Sequence, residues 1–200
     1  MYQAEQNMVA KLVAKNKLNQ KNYLLKDGSL EYRINLNLIN DKRKILTLKN
    51  NYGYVIGVSK KFNPALWTTG TGTNLKPNPG FISELPLFSR TPAICYENAA
   101  LHGDIKFAVW YLRIRDRKYT DSPFDGVLKI EKILVTAEET ETEKIDSDLV
   151  DYLSACIINE RNPVCYGADN RWANHIYPIF VTETFIKSKC ISAETFLNLF

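Results

Sequence analysis

The segment Tyr23–Arg33, YLLKDGSLEYR, carries an aspartate at the end of a short apolar run. Asp27 is followed by Gly28 and Ser29, so a turn there would lift the carboxylate clear of a buried strand. Glycine would also let another backbone or a phosphate approach closely. Asp-Gly is a common turn dipeptide, so two interpretations stay open: Asp27 is a catalytic carboxylate, or KDGS is an ordinary turn.

Glu5 is the second candidate carboxylate, and it lies on a predicted helix that precedes Asp27 in the chain. A helix packed on the strand could bring the two side chains together. Carboxylate oxygens are the ligands that Mg²⁺ and Mn²⁺ prefer, and these ions activate water and stabilise phosphodiester transition states. Asp27 and Glu5 are therefore predicted to bind Mn²⁺ or Mg²⁺ and to act in catalysis, although Glu5 alone is more typical of a solvated helix residue.

Composition places the chain among soluble globular proteins, with 45% hydrophobic and 24% charged residues in a length of 200. This length predicts a single domain over residues 1–200. No apolar run reaches the roughly 18 residues of a membrane span, and the amphipathic start is unlike a signal peptide. Four scattered cysteines without a CxxC pair predict a reduced, cytoplasmic protein. The net charge of +4 permits a polyanionic partner.

Hydrophobic periodicity predicts strands interleaved with helices, which is typical of an α/β fold. Besides YLLKDGSL, the predicted strands are Tyr52–Ser59, Phe107–Asp116 and Gly126–Val135, and the last two could pair. The predicted helices are Gln3–Leu18, with Met8, Val9, Leu12 and Val13 on one face, Asp146–Ile158, and the C-terminal SAETFLNLF. The segment DNRWANHIYP is interpreted as a turn that enters a further helix.

The order of these motifs is informative: Glu5, then LLKDGSL, GYVIGVSK, WYLRIR, PFDGVLKIE and RWANHIYPI. It resembles the NurA nuclease family, DNA-end-processing nucleases that work with the HerA hexameric ATPase, over nearly the whole chain. The resemblance implies an RNase H-like mixed sheet flanked by helices and a divalent-metal nuclease site. It also implies DNA as substrate, a HerA-type ATPase as partner and usually a homodimer.

The resemblance also implies roles for individual residues. Asp27 matches the family's second catalytic aspartate, and Glu5 matches the helix glutamate before it. Lys60 matches the lysine that ends the family's vGvsK strand. Arg171 and Tyr177 match the RW…YP motif near the C terminus.

Two family positions have no counterpart in this sequence. The family has an earlier strand with another DGS, whose aspartate is the first metal ligand, and a histidine shortly after YP. Here YP is followed by IFVTETF. The chain is therefore expected to be an N-terminally incomplete domain that takes its missing strands from another polypeptide, or else an inactive structural or DNA-binding subunit. An incomplete sheet would have an open edge that favours pairing.

Basic and aromatic residues near the predicted strand ends are candidate DNA contacts. They are Lys60, Lys61, Arg113, Arg115, Arg117, Arg171, Trp172 and Tyr177. The three arginines from Arg113 to Arg117 alternate along a predicted strand, so they would follow a phosphate backbone or form an ordinary solvated face. Arg171 and Tyr177 would lie at a helix N-terminus, which favours phosphate.

A rival nuclease interpretation uses Asp125, Glu131 and Lys132 in FDGVLKIEK, which resembles the PD-(D/E)xK nucleases. In those enzymes the glutamate and lysine are two residues apart on one face of a strand. Glu131 and Lys132 are adjacent, so they should point to opposite faces. The pattern therefore does not favour this alternative.

Overall fold

A mixed five-stranded sheet forms the centre of the fold. The computed structural model describes residues 2–16, 18, 22–30, 49–62, 79–97, 105–163, 173–176, 181–182, 184–186 and 188. The sheet strands are β1 (Leu24–Asp27), β2 (Val55–Ser59), β3 (Ile94–Glu97), β4 (Lys106–Arg113) and β5 (Val127–Ile133). The helices with described bounds are α1 (Tyr2–Asn16), α2 (Pro79–Ser83), α3 (Ala137–Thr142) and α4 (Ser147–Asn159), with a 3-10 turn at Arg117–Tyr119. Residues 49–52 are also helical. Strands β6 (Arg161–Pro163) and β7 (Ala173–Ile176) form a separate antiparallel pair.

Strand order and direction determine which strand ends lie at the same end of the sheet. The order is β1-β2-β5-β4-β3, with β1 parallel to β2 and the other neighbours antiparallel. Strands β1, β2 and β4 therefore run in one direction, and β5 runs against them. Their C-terminal ends and the start of β5 lie together at one end of the sheet, which we call the Asp27 end.

Apolar side chains cover both faces of the sheet because the strand residues alternate between them. The first face packs against Val9 of α1, against Leu30 and Tyr52, and against Ile82 of α2. The second face packs against Val150, Leu153 and Ile157 of α4. This arrangement confirms the predicted α/β class, a mixed sheet flanked by helices. Across the described ranges, no helix is both long and apolar enough to cross a membrane.

Most predicted elements are present, with shifted ends. The predicted pairing of the two long strands is confirmed, since β4 and β5 are antiparallel with Trp110 opposite Ile130. Met8 was expected on the buried face of α1 but is 64% exposed. The predicted turn is wrong at Ala173–Ile176, which is strand β7, paired with β6. The helix predicted after this turn is present at the described residues 181, 182, 184–186 and 188. The C-terminal SAETFLNLF lies outside the described residues.

The turn after β1 folds back over β2. Gly28 has a φ of 89°, a left-handed conformation that costs glycine little, and its N–H donates to Val58 O at 2.8 Å. The turn brings Leu30 into the core, where it is fully buried. A Cβ at Gly57 would lie 2.7 Å from Leu30 Cγ and 3.0 Å from Gly28 O. Gly57 therefore provides the space in which the turn lies.

We expect Gly57→Ala to destabilise the protein by about 1–3 kcal/mol, because the added methyl group would push against the turn. Urea denaturation would measure the change. Gly80→Ala is the matched control, because Gly80 is exposed in helix α2, where alanine is better tolerated than glycine. Equal stability of the two variants would contradict the close contact between β2 and the turn.

Candidate functional site

Asp27 is the last residue of β1 and its side chain is exposed. Because β1 and β2 are parallel, with Asp27 opposite Val58, the residues that follow β2 emerge at the same end. These are Lys60, which is half-buried, and Lys61, which is exposed. The structure therefore brings the Asp27 carboxylate and two predicted DNA-binding lysines to the same end of the sheet.

Glu131 lies beneath the turn that follows Asp27. It sits on β5 opposite Gly57 and is fully buried. Its Oε2 accepts hydrogen bonds from Ser29 Oγ at 2.7 Å and from the Leu30 N–H at 2.5 Å. Its Oε1 lies 2.5 Å from Lys129 Nζ but accepts no directed hydrogen bond from the described residues. A buried carboxylate thus anchors the turn.

The sequence contained a signal for this pair. Lys129 and Glu131 are two residues apart on a predicted strand, so they must share a face. Lys132, which follows Glu131 in the sequence, contacts Glu139 Oε1 at 3.0 Å on the opposite side of the sheet. The expected separation of Glu131 and Lys132 is therefore confirmed. The role of Glu131 at the turn was missed because it depends on contacts across about one hundred residues.

Tyr111 lies on β4, opposite Lys129 of β5, and the charge of Glu131 affects its pKa. Burial and the negative charge of Glu131 raise the pKa of Tyr111 to about 12. Both effects disfavour the phenolate. Tyr111 is therefore a neutral hydroxyl at physiological pH and cannot act there as a base.

Arg113 does not lie on the solvated face that its spacing predicted. It is fully buried, and Nη2 donates to Ser83 O at 2.8 Å and to Pro123 O at 2.9 Å. Burial, followed by the charge of Arg117, lowers the pKa of Arg113. The prediction of Arg113 as a DNA contact is wrong, because its side chain is fully buried and its two Nη groups donate to backbone carbonyls inside the protein.

The other two arginines of this segment also leave the predicted row. Strand β4 ends at Arg113, and Arg115 follows it beyond the strand and is half-buried. Arg117 belongs to the 3-10 turn and pairs with Glu84. Alternation along a strand therefore does not apply to them.

Several predicted site residues lie outside the described part of the chain. Glu5 is in helix α1, but its side chain is not among the described ones. Arg171, Trp172 and Tyr177 fall outside the described residues altogether. Strand β7 follows Trp172 directly, and the predicted helix lies further along the chain, at Val181 and the described residues after it. The DNA contacts of Arg171, Trp172 and Tyr177 stay predictions.

The described carboxylates do not complete a divalent-metal site by themselves. Among the side chains that the structure describes, no group of three or more His, Cys, Asp or Glu could hold a metal ion. Asp27 offers one exposed carboxylate, whereas Glu131 is occupied by the turn and Lys129. The remaining ligands for Mn²⁺ or Mg²⁺ would have to come from side chains such as Glu5 or from another chain.

A concavity lies at the opposite end of the sheet from Asp27, between α3, the start of α4 and the beginnings of β1 and β2. It has a volume of about 670 Å³. Tyr23 and Tyr54 contribute an edge-to-face ring pair with centroids 6.1 Å apart. Its charged side chains have both signs: Lys132, Lys144, Glu138, Glu139 and Asp146. This mixed lining gives a polyanion no net attraction.

Comparison with known proteins identifies a similar fold. No family model matches the sequence, and no curated protein matches it. The crystal structure of the NurA nuclease from Sulfolobus solfataricus is similar, with a TM-score of 0.50 and 13% identity. The similarity covers 96% of this chain but 65% of that chain, so this chain spans about two thirds of its length. At this identity the comparison shows a NurA-like fold.

We expect Arg113→Met to lower the free energy of unfolding by about 3 kcal/mol, because buried carbonyls would lose a charged donor. Arg117→Met is the control, since its exposed pair with Glu84 should contribute less than about 1 kcal/mol. Chemical denaturation and DNA binding would both be measured. An Arg113→Met variant of normal stability with weakened DNA binding would contradict the structural role of Arg113.

Proposed function

We propose that the chain is a subunit of a divalent-metal-dependent DNA nuclease that hydrolyses phosphodiester bonds at the Asp27 end of the sheet. The observation that carries the proposal is the exposed carboxylate of Asp27 at the C-terminal end of β1 in a NurA-like fold. A carboxylate in this position can reach a substrate without disturbing the core. The turn glycine beside it leaves room for a phosphate.

The proposed reaction assigns separate tasks to the residues at this end. Asp27 and Glu5 would hold Mn²⁺ or Mg²⁺ beyond the end of the sheet, because helix α1 packs on the first face whereas Asp27 is in register with Val58 of the second. The ion, when bound, would activate water and stabilise the charge on the phosphate. Lys60 and Lys61 would contact the DNA backbone, whose phosphates dominate affinity. Arg115, Arg171, Trp172 and Tyr177 remain proposed contacts along the same DNA.

The proposal includes partners. Residues 1–200 would form one NurA-like domain, completed by a second copy or by another polypeptide. Support comes from strand order, because β1 is the terminal strand of the described sheet and can accept a further strand. A HerA-type ATPase as partner rests on the resemblance of the sequence motifs alone.

A second candidate function is a DNA-binding or structural subunit that does not cleave. The observation that favours it is the incomplete set of metal ligands among the described side chains. Such a subunit would still use the lysines at the Asp27 end. The two functions differ in whether Asp27 matters for more than DNA affinity.

We expect Asp27→Asn to reduce DNA cleavage in Mn²⁺ by roughly hundredfold or more, because loss of a metal ligand removes several kcal/mol of transition-state stabilisation. DNA affinity should change by less than about twofold, since a single uncharged amide would not repel phosphate. Cleavage of labelled single- and double-stranded DNA by the purified chain would measure both quantities. The experiment should be repeated with any polypeptide that co-purifies.

Asp121→Asn is the matched control, because Asp121 is an exposed aspartate in the loop after the 3-10 turn. It should leave cleavage and binding unchanged. Equal cleavage by the parent and Asp27→Asn would refute the assignment of Asp27. DNA binding without any cleavage by the parent would favour the second candidate function.

A further inference from the structure

We propose that Glu131 is a positioning residue for the proposed nuclease reaction: it fixes the turn Asp27–Leu30 and thereby the direction in which Asp27 is presented. The inference rests on the proposed function, since it concerns the same site. Glu131 does not reach substrate in this account. It acts through the backbone that carries Asp27.

The contacts of Glu131 are directed at the turn. One carboxylate oxygen accepts from both the Ser29 hydroxyl and the Leu30 N–H, at 2.7 and 2.5 Å. Hydrogen bonds to an ionised acceptor are shorter and stronger than neutral ones. The Leu30 N–H is buried, so it needs an acceptor. Glu131 supplies the acceptor from two strands away.

The peptide groups beside Asp27 are held from other directions as well. Lys26 Nζ donates to Asp27 O and to Ser29 O, each at 3.2 Å. The Gly28 N–H donates to Val58 O. The backbone on the C-terminal side of Asp27 is thus fixed while its side chain stays exposed. A fixed carboxylate loses less freedom when it engages a reacting group.

Strand alternation shows that the coupling must run through the backbone. Asp27 is in register with Val58, which packs on the second face, whereas Glu131 is in register with Gly57 on the first face. The two carboxylates therefore lie on opposite sides of the sheet. Glu131 meets the chain only after the turn has brought Ser29 and Leu30 over β2.

The cost of burying Glu131 indicates that it has a specific task. A buried carboxylate loses its hydration, and a nearby cation compensates only in part. Lys129 provides this cation, and Gly57 provides the space in which the turn lies. An apolar side chain at position 131 would fill β5 without this cost. It could not accept the two hydrogen bonds from the turn.

The test compares Glu131→Gln with Glu139→Gln in the full chain. Glu139 is a matched carboxylate at the other end of the sheet. It accepts from the Val135 and Thr136 N–H groups at 3.0 and 3.2 Å and pairs with Lys132. Hydrogen exchange of the Leu30 amide is measured by NMR. Cleavage in Mn²⁺ is measured well below the unfolding temperature of each variant.

We expect Glu131→Gln to speed exchange of the Leu30 amide by about tenfold, the effect of weakening one charge-assisted hydrogen bond. It should lower kcat by about tenfold and change KM for DNA by less than twofold, because Glu131 acts on the geometry of Asp27 and not on DNA. Glu139→Gln should change neither the exchange of the Leu30 amide nor kcat. If Glu131→Gln does not fold, Ser29→Ala takes its place, since it removes one hydrogen bond and keeps the Lys129 pair.

Two results would overturn the inference. Unchanged exchange of the Leu30 amide would show that Glu131 does not fix the turn. Faster exchange of the Leu30 amide in Glu131→Gln, together with a kcat equal to that of Glu139→Gln, would show that Glu131 stabilises the fold without affecting catalysis. A parent chain that cleaves no DNA would instead overturn the proposed function, and the exchange measurement would still decide whether Glu131 holds the turn.

Discussion

Parallel pairing of β1 with β2 is the constraint on which the rest of the candidate site depends. Parallel neighbours end at the same side of a sheet, so Asp27 and Lys60 emerge together. A slip of one residue would exchange the faces of Lys26 and Asp27. It would also separate the Gly28 N–H from Val58 O and move the turn away from Gly57. The register therefore decides whether a carboxylate or an ammonium group stands at the site.

Strand β5 contains two buried charged side chains, although it lies at the centre of the described sheet. These are Glu131 and Lys132. Lys132 is paired with a carboxylate from α3, and Glu131 is paired with Lys129 and with the turn. Replacing a buried ion pair by apolar residues is often neutral or stabilising. Stability alone therefore does not account for Glu131, whereas a fixed Asp27 turn does.

The sequence predicted the parts of this fold that depend on local pattern. Continuous Val, Ile and aromatic runs identified β2, β4 and β5, and KDGS identified the turn. Contacts between distant segments could not be predicted from the sequence. Nothing near Arg113 in the sequence indicates that the backbone carbonyls of Ser83 and Pro123 accept its hydrogen bonds. The same holds for Glu131, whose partners lie far away in the chain. Strand β7 could not be predicted from the sequence, because Pro163 and Ala173, which pair in the separate β6–β7 sheet, are separated by a stretch of sequence with no strand signal.

The proposed metal site at Asp27 can be located by NMR with Mn²⁺. Bound Mn²⁺ broadens the resonances of nearby amides, so a titration reports where the ion first binds. If Asp27 binds the ion, the amides of Gly28 and Ser29 should broaden at the lowest Mn²⁺ concentrations, before those near Glu138 and Asp146 in the mixed-charge concavity. Broadening that begins at the concavity and leaves Gly28 unaffected would contradict a metal site at Asp27.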